Sequence, residues 1–451
     1  MQQHRTSLTL FKRLPLAMFV ALAFAGASQA QSLVDMYEMA KGYDAGYQSA
    51  KAQYLANQAK ADQGKSALLP TLGLSGGATR SDRSLNPQTS TSDYSYTTQT
   101  AGLNANQPLY RPGNLAAYQQ SQKALEIAQA ALSQAEQDLI VRTTQAYFEV
   151  LAAKQSLAFV QAQKSAVAEQ LASAKRNFEV GTSTITDTRE AQARYDLVVA
   201  QEIAADNDLR VKKVALELLV GKTGAEPFGL SAQAKLPPVS GANPEEWIAQ
   251  GEQTHPAIQQ ARMNLDIAKL ETAKAEAGHK PTVDFTLGYN VQKNIGGTSV
   301  TAISGQNQIT IASAGITANL PLFAGFATQN RIRETLALED KARNDLEGAQ
   351  RQVAQATRTA YLGLQSGLGQ VKALEAAEAS SQAALDANKL GYQVGVKVNI
   401  DVLNSQSQLY QTKRDLAKAR YDVLLGQLKL RQASGTLKAE DLQSINALLQ
   451  K

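Results

Sequence analysis

Apolar and polar residues alternate strictly along one short stretch in the second half of the chain. The apolar members are Val283, Phe285, Leu287, Tyr289 and Val291, separated by Asp284, Thr286, Gly288, Asn290 and Gln292. A period of two predicts a β-strand with one apolar and one polar face. Weaker forms of this pattern occur at 72–79, 96–109 and 309–322. We therefore expect four strands, paired through polar loops at 80–95 and 293–308.

A second period, of seven residues, runs through a much longer segment. Residues 114–180 contain no proline or glycine. The small or apolar residues at seven-residue intervals are Leu125, Leu132, Leu139, Ala146, Ala153, Val160, Val167 and Ala174. This spacing predicts one coiled-coil helix, which at about 1.5 Å per residue is on the order of 100 Å long. A similar but looser helix is expected at 326–394. A rod or filament is the alternative interpretation of the periodicity.

Four shorter helical segments are expected at 32–66, 187–220, 244–279 and 401–434. The first two segments, placed end to end, match the length of the first long helix, and the last two match the length of the second. Two short helices can therefore lie alongside each long one. The fold class predicted is mainly α with a small β part.

The chain is also internally duplicated, with corresponding residues about 214 positions apart. The tetrapeptide at 178–181, Phe-Glu-Val-Gly, recurs at 392–395 as Tyr-Gln-Val-Gly. A repeat of this length is a whole structural unit and not one turn of a solenoid. We therefore predict two similar units, a connector between them and a C-terminal tail, at 31–221, 244–435, 222–243 and 436–451 respectively.

Residues 1–30 have the features of a secretory signal peptide. Three cations precede an apolar segment at 14–27, and Ser28-Gln29-Ala30 provides small residues for cleavage. An N-terminal membrane anchor is the alternative. Removing these three cations lowers the formal net charge from +5 to +2, so the basic composition gives no reason to expect nucleic-acid binding. The chain has no cysteine, hence neither a disulfide nor an acylation site.

The sequence offers little material for an enzyme. After residue 30 the only histidines are His255 and His279, and cysteine is absent, so hydrolytic triads and soft-metal clusters have few candidate residues. Gly221-Lys222-Thr223 looks like the end of a phosphate-binding loop, but Leu216 occupies the place of its first glycine. We therefore expect no catalytic activity, no cofactor and no metal site.

The four strands allow two interpretations. One is a soluble hairpin pair packed on helices. The other is a membrane sheet, although four strands cannot close a barrel and lipid does not tolerate open edges. In that case several chains must combine their strands.

Taken in order, several short motifs resemble the TolC family of outer-membrane export channels over nearly the whole chain after residue 30. They are Asn106-Gln107-Pro108-Leu109-Tyr110, Leu320-Pro321-Leu322-Phe323-Ala324-Gly325, Gly391-Tyr392-Gln393-Val394-Gly395, Ile400-Asp401-Val402-Leu403 and Gly435-Thr436-Leu437. The resemblance implies a homotrimer with a twelve-stranded β-barrel in the outer membrane, continuous with an α-helical barrel in the periplasm. The connector would lie in the equatorial region of that helical barrel.

The resemblance also implies a function and partners. The protein would be an exit duct that works with a periplasmic adaptor (membrane fusion) protein and an inner-membrane ABC, RND or MFS transporter. It would export proteins by type I secretion, small toxic compounds by multidrug efflux, or both. A periplasmic coiled-coil adaptor or structural protein and a passive porin are the alternatives. The sheet would contact outer-membrane lipid, with the strand-to-strand loops outside the cell.

Candidate site residues follow from the same resemblance. Asp401 would belong to a ring of acids at a periplasmic constriction. The family's second acid, three residues later, is replaced here by Asn404. Tyr392 and Lys397 would hold the constriction shut.

The partners expected for Tyr392 and Lys397 are the neighbourhood of Thr186 and Asp187. The alternative is that Asp187 and Asp401 are only helix N-caps, a position at which Asp is favoured.

Overall fold

The computed structural model describes residues 31–85, 92–231, 236–237, 243–295 and 308–449. The predicted signal peptide lies outside the described residues. So do the middle of each predicted strand-to-strand loop and much of the connector.

Nine α-helices form most of the described chain. They are α1 (Leu33–Tyr43), α2 (Ala45–Ser66), α3 (Pro112–Glu179), α4 (Ile185–Val220), α5 (Pro244–Thr254), α6 (Pro256–Glu276), α7 (Ala327–Gln393), α8 (Asn399–Ala433) and α9 (Asp441–Asn446). A short 3₁₀ turn, Ala277–His279, follows α6. Within the described ranges, no helix is both long enough and apolar enough to span a bilayer.

The two long helices predicted at 114–180 and 326–394 are confirmed. They are α3, with 68 residues, and α7, with 67 residues. The seven-residue seam of α3 is buried along most of its length, as Leu139, Ala153, Val160, Val167 and Ala174 show. α3 packs against α4, α6 and α8, and α7 packs against α6 and α8.

Two of the four shorter segments are broken, and their prediction as single helices was wrong. Asp44 separates α1 from α2, because its carboxylate accepts the backbone N–H of Tyr47 (2.8 Å) and pairs with Arg142 (2.9 Å). His255 separates α5 from α6, because the residue before a proline is disfavoured in helical conformation and Pro256 follows it.

The four strands confirm the predicted β part. They are β1 (Thr71–Leu85), β2 (Ser92–Tyr110), β3 (Thr282–Ile295) and β4 (Gln308–Asn319), antiparallel and in the order β1-β2-β3-β4. The strands extend into the regions predicted as loops, so the range 80–95 was too wide. Backbone pairing continues there although the side chains no longer alternate. In the described sheet β1 pairs only with β2, and β4 only with β3.

One face of the sheet is predominantly apolar, although Gln107, opposite Phe285, and Thr310, opposite Val291, also lie on it. Directly opposed residues share a face, and the register aligns Leu74 with Leu103, Leu103 with Tyr289, and Tyr289 with Ala312. Leu72, Leu74 and Ile316 are 72%, 84% and 67% exposed, so no other part of the described chain covers this face around them. The opposite face is mostly polar, with Asn104 next to Gly288 and Gly288 next to Ser313, although Ile309 and Ile311 of β4 also lie on it.

The sheet joins the helices through short, rigid junctions. β2 ends at Tyr110, and Pro112 begins α3, at a position where its missing N–H costs nothing. Arg111, between them, makes a bidentate ion pair with Asp284 of β3 (2.8 and 2.5 Å). This pair fixes the start of α3 against a strand from the second half of the chain.

The largest apolar core lies near the middle of the long helices and includes residues of α1, α3, α4, α8 and α9. Tyr147 of α3 is fully buried there, and its hydroxyl donates to the carbonyl of Phe228 (3.0 Å). Its ring packs edge-on against Phe148, which in turn packs against Tyr421 of α8.

Glu271 of α6 connects three helices. It accepts hydrogen bonds from Gln120 of α3 (2.8 Å) and Arg331 of α7 (2.7 Å). These hydrogen bonds, with help from Lys274, lower the pKa of Glu271 from 4.5 to about 2.

We predict that Glu271→Gln changes the acid sensitivity of the fold. Since the pKa is lower in the folded state, the carboxylate stabilises the protein fully above pH 4.5 and loses this effect as the pH falls toward about 2. The Tm of the wild type should therefore exceed that of the variant at neutral pH and approach it in this window, as measured by circular dichroism. Glu252→Gln, an exposed position on α5, is the control. Parallel pH profiles for Glu271→Gln and the wild type would contradict the prediction.

Candidate functional site at the helical tip

Two equivalent turns lie at one end of the helical region. The first connects α3 to α4 and the second connects α7 to α8. Each has a glycine with positive φ just after its long helix, Gly181 (79°) and Gly395 (80°). Glycine is favoured there because a side chain would strain this left-handed conformation. All six sequence-predicted site residues lie in or next to these turns.

Asp187 caps its helix, as the alternative predicted, but it does not occupy the N-cap position, and that part of the prediction was wrong. The N-cap of α4 is Thr184, and Asp187 is the third residue of the helix, in a capping box. Its carboxylate accepts from Ser183 Oγ (2.7 Å) and from the Thr184 backbone (3.0 Å). Although burial acts to raise it, these hydrogen bonds hold the pKa of Asp187 below its ordinary value.

Asp401 is also the third residue of its helix but has no such partners. The N-cap residue, Val398, has no side chain able to form a capping box, and no side-chain cap bond is present. The carboxylate of Asp401 is 36% exposed and lies 3.7 Å from Lys397 Nζ. Asp401 is therefore available for a role other than capping.

Tyr392 and Asn404 each contact a helix from the first half of the chain, α3 and α4 respectively. The hydroxyl of Tyr392 accepts a hydrogen bond from Asn177 Nδ2 of α3 (3.3 Å). The side-chain oxygen of Asn404 accepts from Arg194 Nη2 of α4 (2.8 Å). Within the described part of one chain, Tyr392 and Lys397 form no hydrogen bond or ion pair with Thr186 or Asp187. A contact between separate copies stays a prediction.

These contacts belong to a larger set, which we call the polar seam. It consists of side-chain hydrogen bonds between the first hairpin (α3 and α4) and the second hairpin (α7 and α8). Its pairs are Asn177–Tyr392, Gln170–Asn399, Gln163–Arg414 and Arg194–Asn404, together with the Asn399 amide on the Asp187 carbonyl (3.3 Å).

Asn399 is the most enclosed member of the seam, with no exposed surface. It accepts from Gln170 and donates to Asp187, so it ties α8 to both helices of the first hairpin. Gln406 lies two turns further along α8, is 2% exposed, and its side-chain oxygen has no hydrogen-bond partner among the described residues.

Apolar packing near the tip is mostly separate in each hairpin. One cluster joins α3 and α4, with Leu403 as the only fully buried residue contributed by α8. Another cluster, Leu385, Val402 and Leu409, joins α7 to α8. A hydrogen bond contributes only about 1 kcal/mol net because water can replace it. The two hairpins can therefore separate at the tip at a lower cost than either hairpin can open.

The polar seam was missed at the sequence level, although a signal for it exists. Gln163, Gln170 and Asn177 are spaced by seven, three positions after the apolar seam residues Val160, Val167 and Ala174. On α8, Asn399 and Gln406 are also seven apart. Amides at a coiled-coil period indicate a second, polar contact stripe.

A sheet with one apolar and one polar face, continuous with helices about 100 Å long, is the architecture of an outer-membrane channel subunit. The chain belongs to the outer membrane efflux protein family, whose sequence model matches residues 36–222 and 247–436.

Individual proteins agree with this assignment. The outer membrane protein TolC of Vibrio cholerae is 33% identical over 439 residues, covering 97% of this chain and 98% of that protein. The proteases secretion protein PrtF of Dickeya chrysanthemi is 28% identical over 453 residues, covering 97% and 96%. The solved structure of CusC superposes with a TM-score of 0.77 at 17% identity, covering 90% of this chain and 92% of that one. The likeness to CusC shows the fold alone.

We predict that Asn399→Ala loosens the contact between the two hairpins at the tip. The variant removes the hydrogen bonds of Asn399 to the half-buried Gln170 amide and to the Asp187 carbonyl, at a cost of about 1 kcal/mol each. Amide hydrogen exchange at the start of α4 and of α8 should accelerate by roughly 10- to 100-fold. The matched control is Asn388→Ala, which removes a hydrogen bond to Ser405 (2.6 Å) inside the second hairpin. Equal exchange at the start of α4 in the two variants would show that the seam has no special role.

Proposed function

We propose that three copies of this chain form an outer-membrane exit duct that exports proteins, small toxic compounds or both. The observation that carries the proposal is the sheet, which is apolar on one face and polar on the other and has two open edges. In lipid every backbone N–H and C=O needs a partner, so such a sheet is stable only when closed. Three copies give twelve strands, an even number within the range of known barrels.

The junction between β4 and α7 supports a membrane boundary at that level. Leu322 is 90% exposed, Phe323 75% and Phe326 60% in the single chain. Phe326 also has a positive φ of 64°, which is strained for an aromatic residue, and its ring packs perpendicular to that of Phe323. Aromatic residues are enriched at the edges of transmembrane barrels.

The helical part of the duct extends away from this boundary, and we place it in the periplasm. The domain division proposed is a first unit at 31–221, an equatorial connector at 222–243, a second unit at 244–435 and a tail at 436–451. The similar order of elements in both units supports it. A passive porin would need many strands in each chain and no long helices, and a periplasmic adaptor would have no apolar sheet face.

Transport through the duct requires energy from elsewhere. The proposed partners are a periplasmic adaptor and an inner-membrane transporter of the ABC, RND or MFS type. The similarity to PrtF, named for protease secretion, favours proteins among the cargo.

The proposed gate is the tip of the helical part. Asp401, one from each copy, would form a ring of negative charge at the constriction, with Asn404 as its uncharged neighbour. Lys397 lies close enough to offset part of this charge (3.7 Å). Tyr392 and Lys397 would also bridge to Thr186 and Asp187 of an adjacent hairpin. Opening would break the polar seam and withdraw Leu403 from the cluster of α3 and α4, while each hairpin keeps the rest of its own apolar packing.

We predict that the detergent-extracted protein is a trimer. Its mass by multi-angle light scattering, corrected for detergent, should equal three copies of the chain without residues 1–30, and it should fractionate with the outer membrane. A monomer in detergent, or a protein released with the soluble periplasmic fraction, would overturn the proposed duct.

We predict two distinct conductance phenotypes at the tip. Asp401→Ala should weaken cation selectivity and block by multivalent cations, because it removes the ring of negative charge. Tyr392→Phe with Lys397→Ala should raise resting conductance, by about thirtyfold if two contacts of about 1 kcal/mol each are lost. Planar-bilayer recordings measure both properties.

The control for the gate experiment is Lys389→Gln. Lys389 is an exposed cation of α7 and lies outside the turn that contains Lys397. It should match the wild type in selectivity and resting conductance. If Asp401→Ala and the double variant also match the wild type, the gate lies elsewhere.

A further inference from the structure

The apolar face of the sheet ends in two cations at the end far from the helices. Between Val283 and Val291 of β3 and the residues aligned with them, the described residues of this face include no charged side chain. The next aligned row contains Ala78, Gln99, Lys293 and Gln308, and the row after it contains Arg80, Thr97 and Ile295. We call Arg80, Gln99, Lys293 and Gln308 the rim patch.

The height of the apolar face puts the rim patch at a membrane boundary. Val283 and Lys293 are ten residues apart on one strand, about 33 Å at 3.3 Å per residue. A strand tilted by about 40° in a barrel then rises about 25 Å, which is the usual height of the lipid-facing apolar band. Lys293 therefore lies where the apolar band gives way to lipid headgroups.

The side chains of the rim patch are accessible to a ligand. All four are exposed. Lys293 has no ion pair within the described chain, and Gln99 and Gln308 flank it on the two neighbouring strands. Arg80 donates to Ser95 Oγ (3.1 Å) and lies 3.7 Å from the Asp82 carboxylate, a distance at which a stronger anion can compete with it.

We propose that the rim patch binds the phosphate group of membrane lipids. Arg and Lys are the residues that bind phosphate oxygens, Arg as a bidentate donor and Lys as a point charge. The two glutamine amides add neutral donors beside Lys293. The proposal rests on insertion of the sheet in a membrane, and it goes beyond the duct function because it assigns a lipid class to one edge of the barrel. In the trimer the patch occurs three times around the rim.

The test compares lipid retention by Arg80→Gln/Lys293→Gln with the wild type. Protein is reconstituted into phosphatidylcholine vesicles doped with phosphatidic acid or with oleic acid, re-extracted, and the retained lipids are counted by native mass spectrometry. The wild type should retain phosphatidic acid in preference to oleic acid. Each cation removed should lower that retention roughly fivefold.

The matched control is Arg333→Gln/Lys389→Gln, which removes the same two charges from exposed positions on α7. It should retain phosphatidic acid like the wild type. Lys293→Gln alone breaks no side-chain hydrogen bond or ion pair within the described chain and tests the patch without disturbing Arg80. Lys293→Arg should preserve retention.

Three results would overturn the proposal: undiminished retention by the double variant, equal retention of oleic and phosphatidic acid by the wild type, or displacement of phosphatidic acid by inorganic phosphate at matched concentration. The last would indicate an ion site instead of a lipid site. Failure of the wild type to insert in any vesicle would instead contradict the proposed duct. The two failures are thus distinguishable.

Discussion

The need to pair every backbone group in lipid is the constraint on which this architecture depends. The sheet pairs β2 from the first half of the chain with β3 from the second, so the two halves form one continuous surface. Its remaining edges, on β1 and β4, have no partner in the described chain. Because lipid offers no hydrogen-bonding groups, the sheet must be closed, and the proposed trimer closes it. The ion pair of Arg111 with Asp284 then fixes the start of α3 relative to the sheet.

Packing chemistry changes along the helices, and this change separates rigid from movable parts. The middle region is held by a large apolar core around Tyr147, which water cannot replace. At the tip, the contact between hairpins consists of hydrogen bonds, which can be exchanged for water, and of little apolar packing beyond Leu403. The structure is therefore strongest near the centre of its helical part and weakest, between hairpins, at its end.

Duplication has produced two turns with the same backbone and different chemistry. Asp187 and Asp401 both occupy the third position of a helix, yet Asp187 is engaged by Ser183 and Thr184 while Asp401 faces only Lys397. The difference follows from the N-cap residue, which is a threonine in one turn and Val398 in the other. One copy of the repeat stabilises its helix, and the other leaves a carboxylate available at the tip.

The sequence by itself determined the two long helices and the strands, because periods of seven and two follow from local backbone geometry and can be read from the order of residues. It also determined the duplication, because corresponding motifs recur about 214 positions apart. It also indicated the region of the tip. Only the tertiary structure decided the break at Asp44, which depends on Arg142 of another helix, and the partners of Asn399 and Tyr392. Those features depend on which helices become neighbours. The seven-residue spacing of the amides indicates a polar stripe on each helix, but it does not record which residue of another helix each amide contacts.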